Sequence, residues 1–547
     1  MIKIRKALEA RLSLLVLVIL AVQPMLDVLS YFLSEMGSNA LSTLLRFAML
    51  AVIALLGFVL SDKKLVYLIL YGVAGVFWTA HVLNSYRIGY TSVVQDTANF
   101  LRILNFPIFV LTFITMLEID PGLRDWFYLG VAVNFGEMLL FTALPWLLGQ
   151  PVYTYEALEV GIMGWFAIPN AQAVILVLGA PLAIYWAYRT GKYPLFLGAM
   201  LVCFGLMYAT GTKFTFYSIF IIAGAYIFLF VLQLGKKSLR FALPMLVLFA
   251  LVFAFRHQSP MALRERMSAY SQGLYADMVE ESLENSGTDE DMRKILENEG
   301  EVPEEEDEDE EPKPVPRPEK VIARMRQSIM GVYTDEDVYG WLLNNLNQRF
   351  GVYNVMEAYH HSVATGTLSD FRACKTFFAR MVWHEKDTLT HWLGYEYSDF
   401  LVGGTIYDLE NDFPAVYYCC GYLGFGLYLL FFGVFVFVVL RAFTGSVVLA
   451  CQKEPMGKRR TLWAAKGCWQ GLRNFLTIET GAVGMSFLLA VIAAQISGYV
   501  LRRPNVTIYF AVAAACLFAL TAGAPGPALL APALRKAPLK TKKAANP

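Results

Sequence analysis

Apolar residues fall in long runs along this chain, separated by short charged links and by one long hydrophilic stretch. Runs long enough to cross about 30 Å of hydrocarbon, about 20 residues each, begin near residues 12, 40, 64, 100, 125, 164, 193, 213, 239, 413, 479 and 504. The pattern predicts an all-α polytopic membrane protein of about twelve transmembrane helices, with one large extracytoplasmic loop domain between spans nine and ten. Neither a repeat with a period of about 20–50 residues nor a pair of inverted halves is visible.

Basic residues set the orientation. The N-terminal arm MIKIRKALEAR, Lys63-Lys64, Arg189 to Lys192, Lys236-Lys237-Arg240, the loop from Arg441 to Arg473 and the tail RKAPLKTKK all fall on one side of the membrane under this count. Positive loops stay inside, so both termini are expected in the cytoplasm of a multi-pass cell (plasma) membrane protein. Arg502 and Arg503 run against the rule, landing outside. The arm is followed by an apolar run of about 22 residues without an A-x-A-like cleavage site, so that run reads as an uncleaved first span.

The expected organisation follows. Residues 1–256 hold spans one to nine; residues 257–320 form an acidic extracytoplasmic insertion; residues 321–410 form an ordered extracytoplasmic cap; residues 411–522 hold spans ten to twelve with a basic loop at 441–475; residues 523–547 are a basic cytoplasmic tail. The segment ENEGEVPEEEDEDEEPKPVPRPEK has almost no apolar side chain to bury, so it is expected to be largely disordered. The following stretch, with YGWLLNNLNQRFGVYNVMEAYHHSV, regains helical periodicity and aromatics.

Composition agrees with this and excludes a soluble chain: 57% of residues are hydrophobic and 16% charged, and the mean hydropathy is +0.49. The net charge of zero conceals segregation, because many of the acids lie between Asp277 and Glu311. Seven scattered cysteines give neither a disulfide framework nor a metal spacing. Of six histidines, only His360-His361 and the His384/His391 pair invite a metal reading, and no carboxylate or cysteine stands at a spacing that strengthens it. No metal, cofactor or nucleic-acid partner is expected.

Polar residues gather near one membrane face. Asp27, near the outer end of span one, and Arg46, near the start of span two, lie at similar depth. They are placed to pair, either as a structural ion pair or as part of a site. Arg102 opens span four and Lys213 opens span eight on the same side, with Asn170 and Gln172 in the outer part of span six. Each cation is open to a plainer reading as an interface anchor. Ionisable groups at this depth otherwise indicate a site. Glu410, Asn411 and Asp412 stand at the outer entry of span ten, as a helix cap or as chemistry.

The segment around Glu410 resembles the O-antigen ligase and polymerase superfamily, membrane glycosyltransferases that use polyprenyl-diphosphate-linked sugars. Ligases of that family carry His, then Asn, Ser or Gln, nine residues, then Gly-x-x-Gly at the entry to a span after the largest outer loop. Here Glu410-Asn411 precede nine residues and Gly421-Tyr-Leu-Gly424. LGYEYSDF (393–400), TGTKFTFYS (210–218) and QPMLDVLSYF (23–32) are similar to further family segments. Two residues depart from the pattern: Glu410 replaces the ligase His, and Lys213 replaces an Arg, losing its bidentate fork.

The resemblance implies transfer or polymerisation of a glycan from a polyprenyl-diphosphate carrier to a glycan or lipid acceptor, among membrane lipids at the outer leaflet, in cell-envelope polysaccharide assembly. Glu410 is then the catalytic base. Lys213, Arg349, Arg46, Arg102 and Asn411 are the substrate-binding candidates, with Arg372 and Arg380 competing with Arg349. Gly421 and Gly424 share one helix face and invite close packing. The rival reading is a lipid-linked sugar or polysaccharide transporter or flippase, which calls for polar groups near the bilayer midplane.

Overall fold

The computed structural model describes residues 2–233, 236–267, 349–350, 371–402, 405–406, 408–453 and 460–523. The acidic insertion, most of the first half of the cap, His360-His361 and the basic tail lie outside the described residues. The helices in chain order are α1 (Ile2–Glu9), α2 (Leu12–Glu35), α3 (Ala40–Leu60), α4 (Lys64–Ile88), α5 (Val93–Ile119), α6 (Leu123–Leu147), α7 (Pro169–Arg189) and α8 (Tyr193–Ala209). They continue with α9 (Lys213–Gln233), α10 (Lys236–Ala254), α11 (Phe371–Glu385), α12 (Thr388–Leu393), α13 (Asp412–Lys453), α14 (Arg460–Phe475), α15 (Ile478–Ile496) and α16 (Pro504–Ala522).

Ten of these are long and apolar enough to cross a membrane, and Tyr193–Ala209 and Leu239–Ala254 are two shorter apolar helices. The twelve correspond one for one to the apolar runs of the sequence. The protein is an all-α polytopic membrane protein. Two β-hairpins interrupt the helices: β1 (Tyr153–Tyr155) pairs antiparallel with β2 (Val160–Ile162), and β3 (Leu401–Val402) with β4 (Thr405–Ile406).

Three boundaries differ from the sequence reading. Span six starts at Pro169 rather than near 164, because residues 153–162 form the first hairpin and proline then opens the helix at its first position. Span four starts at Val93, so Arg102 lies inside α5 rather than at its beginning. Residues 441–475, read as a loop, are mainly helical: α13 runs on to Lys453 and α14 follows, with Gly471 so close to Val447 that a Cβ there would lie 2.5 Å from the Val447 Cα.

The chain divides into two compact units, residues 1–72, 101–262 and 426–547 in the first, and residues 73–100 and 263–425 in the second. In the first unit α7 is the hub, packed by α6, α8, α9, α15 and α16. It is 89% buried over its span window, against 28% for α3, which decides which helix is central and which presents its side chains outward. Ala511 to Cys516 of α16 are all fully buried, small side chains that let helices approach closely where no water drives association. Two of the polar side chains in this apolar interior are met by backbone: Ser486 Oγ donates to Leu178 O at 2.6 Å and Tyr226 OH to Pro181 O at 2.5 Å.

Candidate functional site

Within the first unit a cavity of about 400 Å³ is lined by α2 (Asp27, Ser30, Ser34), by Asn39 and the start of α3 (Ser42, Thr43, Arg46, Phe47), by Arg102 of α5, by Phe166 to Ile168 and the start of α7 (Ala171, Gln172), and by Arg502-Arg503 and the start of α16 (Pro504, Asn505). Three helix N-termini thus open onto one space. Their orphan N–H groups and dipoles favour a negative ligand. Among the described residues lining it, four arginines, Arg46, Arg102, Arg502 and Arg503, stand with one acid, Asp27.

The acid is already engaged. Arg46 Nη2 donates to Asp27 Oδ1 at 2.6 Å and to Ser30 Oγ at 3.2 Å, and Asn505 Nδ2 reaches Asp27 Oδ2 at 3.2 Å. Asp27 therefore ties α2, α3 and α16 together while leaving Arg46 Nη1 buried with no partner among the described residues. Arg502 is 3% exposed, so its charge is held in the wall rather than on the surface. Arg503 lies over the Tyr499 ring, 4.5 Å from its centre, with Tyr499 held in the left-handed region at φ 58°. The amide of Gln172 is fixed by Nε2 donating to Met163 O at 3.0 Å.

The second unit gathers the remaining motifs. The helix α13 is broken at Gly421, whose φ of 61° and ψ of −171° belong to glycine alone. A Cβ there would lie 2.5 Å from the Gly394 nitrogen, and one on Gly424 would lie 2.8 Å from the Phe77 ring. The Gly-x-x-Gly pair accordingly accepts two neighbours, the turn after α12 at Gly421 and α4 at Gly424. Tyr395 N bonds Tyr418 O at 3.1 Å across the same junction.

The polar residues of LGYEYSDF are consumed by structure. Glu396, 4% exposed, accepts from Thr91 N at 2.9 Å and Ser92 N at 3.2 Å. Asp399 accepts from Lys386 at 2.8 Å. Asp96 accepts from Tyr90 OH at 2.6 Å and Tyr397 N at 3.0 Å and meets His81 Nε2 at 2.9 Å, while His81 Nδ1 meets Leu393 O at 2.9 Å. Each ring nitrogen of His81 thus meets an oxygen. Burial, then the bond to Asp96, pushes the Tyr90 phenol up, which keeps it a donor. Asp387 caps α12, accepting from Thr390 N at 3.0 Å and from the Thr390 hydroxyl at 2.6 Å, and it pairs with Arg87. These bonds, the Thr390 hydroxyl first and Arg87 next, lower its carboxyl to about 2.

Residues 9–348 match the family described as O-antigen ligase like membrane protein. The chain belongs to that family. It is a membrane enzyme of cell-envelope glycan assembly, and the family indicates an activity of glycosyltransferase type. No curated protein and no solved structure matches the chain. In this O-antigen ligase-like protein the matched segment takes in Arg46, Arg102 and Lys213, whereas Glu410, the Gly421/Gly424 pair and Arg502-Arg503 lie beyond it.

The sequence-predicted residues divide between the two units. Arg46 and Arg102 come together in the cavity wall. Lys213, at the first turn of α9, is exposed and does not line that cavity. In the second unit, Glu410 pairs with Lys375 at 3.1 Å, both side chains being more than four-fifths buried. Asn411 Oδ1 is buried without a partner among the described residues. Arg349 donates to Asp399 O at 3.2 Å, stands 3.8 Å from Glu385 and lies over the Phe378 ring. Of its competitors, Arg380 lies over the Phe377 ring. His391 is occupied by Trp383, bonded to its carbonyl at 2.7 Å and stacked on its ring.

Arg502 and Arg503 are the residues the sequence reading missed as site members. A signal was present, since they are the basic pair that breaks the charge rule. Gln172 and Asn505 gave less warning: amides near a span end are common, and only the packing of α7 and α16 shows what they face.

Proposed function

We propose that the protein moves a glycan from a polyprenyl diphosphate to an acceptor hydroxyl at the outer leaflet, with both termini in the cytoplasm. The observation that carries the proposal is the cavity with four arginines and three helix N-termini. A diphosphate is the carrier's only strongly charged part, and its charge rises as the sugar departs. Preorganised donors aimed at that charge favour the transition state over the ground state. Arg46 and Arg102 hold the diphosphate in this reading, joined by Arg502 and Arg503. Lys213 and Arg349, both exposed and not among the residues lining the cavity, have no part in holding the diphosphate in this reading.

The reaction balances simply. The acceptor oxygen attacks the anomeric carbon, the bond from that carbon to the diphosphate oxygen breaks, and its electron pair leaves with the diphosphate. The hydroxyl proton goes to a base, a part given to Glu410 on the family resemblance. Lys375, 3.1 Å from Oε1, holds the carboxylate in one orientation before the acceptor arrives, and Asn411 Oδ1, without a partner in the described structure, accepts a second acceptor hydroxyl. Positioned proton transfer of this kind contributes about 10²–10⁴-fold.

Supporting the enzyme over the transporter reading are the family match and a cavity lined in part by the N-terminal ends of α3, α7 and α16. The test is to incubate purified protein with a lipid-diphosphate oligosaccharide. A ladder of extended products identifies a polymerase and a single shifted acceptor band a ligase; no transfer to any acceptor, with the substrate intact, rejects the proposal.

A further inference from the structure

Gln172 is 3% exposed, lines the cavity, and has its amide orientation decided by the Nε2 bond to Met163 O at 3.0 Å. Turning the amide over would set two oxygens against each other, so Oε1 is the atom left over. It has no partner among the described residues. An unmet buried acceptor is unfavourable. In the same wall Arg46 Nη1 is an unmet buried donor, left over after Nη2 has taken Asp27.

The two leftovers are of opposite kind. A bare diphosphate, fully ionised, offers acceptors only, and so would satisfy Arg46 while leaving Gln172 unmet. A diphosphate that still carries its sugar offers both: phosphate oxygens for the guanidinium and a hydroxyl or N-acetyl N–H for the amide oxygen. Resting on the diphosphate reading of the cavity, we infer that Gln172 is a specificity-determining residue, its Oε1 accepting a hydrogen bond from the sugar joined directly to the diphosphate. The cavity thereby distinguishes loaded carrier from the spent diphosphate that transfer leaves behind. Product loses one hydrogen bond at the moment the sugar leaves, which favours its release.

The inference is tested with water-soluble short-chain isoprenyl diphosphates, one bare and others bearing glucose, galactose or N-acetylglucosamine, titrated into purified full-length protein. The wild type is expected to bind at least one sugar-bearing probe about 3- to 10-fold more tightly than the bare one, the range of one neutral hydrogen bond. Gln172→Leu should erase that preference and leave the affinity for the bare probe unchanged, which also reports that the cavity is intact. If Gln172→Leu loses all binding through misfolding, Gln172→Met serves with the same control. Arg46→Lys, retaining the charge but not the fork, should weaken every probe alike. A sugar preference that survives in a Gln172 variant able to bind the bare probe overturns the inference and leaves the diphosphate reading standing, as does a wild type that binds all probes equally. Failure of every probe to bind the wild type overturns both.

Discussion

Gly394 and Gly421 occupy space that a side chain on either would need. A Cβ on Gly421 would lie 2.5 Å from the Gly394 nitrogen, and one on Gly394 would run into the backbone of Cys419 and Cys420, just before Gly421. Both have left-handed φ, 86° and 61°. Two segments that are separate in sequence, LGYEYSDF and the Gly-x-x-Gly pair, are therefore the two halves of one joint, which holds the helix that Glu410 precedes.

Alanine at either glycine is predicted to destabilise the protein by about 3 kcal/mol or more, combining backbone strain of about 1–3 kcal/mol with overpacking of similar size. Neither neighbour can yield, because the clash is with backbone. Thermal unfolding of the detergent-solubilised protein checks this; a midpoint equal to wild type for Gly421→Ala would refute the joint.

Asp27 and Arg46 make the second prediction. Their side chains are 10% and 13% exposed, and removing one partner strands the other's charge. Asp27→Ala is expected to cost about 3–5 kcal/mol, and the double change Asp27→Leu with Arg46→Met considerably less. A double-mutant cycle on unfolding midpoints reads the coupling, and simple additivity would show that the pair contributes nothing.

The cavity arginines should act on binding. Arg102→Ala or Arg503→Ala is predicted to weaken inorganic pyrophosphate by ~10-fold or more, from loss of a charge-assisted bond of about 1.5–3 kcal/mol, and rising salt should narrow the gap. Titration calorimetry at two ionic strengths gives both numbers. Equal affinity in wild type and both variants would remove the anion reading.

Glu410→Gln is predicted to lower the transfer rate by about 10²-fold or more with the substrate KM little changed, since an amide keeps the shape but takes no proton. Lys375→Met should lower it less, by freeing the carboxylate from its 3.1 Å partner. Wild-type turnover in the glutamine variant eliminates Glu410 as the base.

Asp387 gives a pH prediction. Its carboxyl is lowered to about 2 by Thr390 and Arg87, below the unfolded value of about 3.9. A depressed acid contributes stability that is complete above the unfolded value and is lost as pH falls through the folded one. The wild type should therefore lose this contribution between about pH 4 and pH 2, and Asp387→Asn, which still caps α12, should lack that part of the acid slope. At neutral pH, Asp387→Ala should destabilise by about 1 kcal/mol as a lost cap. Superimposable acid unfolding curves for wild type and Asp387→Asn would contradict the assignment.

The helix inventory and the chance of a site at one face were legible in the sequence, because a span declares itself through about twenty consecutive apolar residues and a charge near its end stands out against them. Arg46 and Arg102, which line one cavity, were singled out on that ground. The same contrast marked Arg502-Arg503, but the charge rule speaks of sides, not of cavities. Span six was misplaced at its start because Val160 to Phe166 is as apolar as helix, and only pairing of β2 with β1 shows otherwise.

Sequence alone thus determined that this chain lies in a membrane, in about twelve helices, and singled out charged residues near the ends of several of them, since hydrocarbon thickness and the cost of unmet charge act locally on each run. Which of those polar residues face the same 400 Å³ was decided by the tertiary structure alone. Asp27, Gln172 and Asn505 are far apart in the chain, and their meeting depends on the rotation of α2, α7 and α16 about their axes, which packing of small buried side chains sets and no local pattern records.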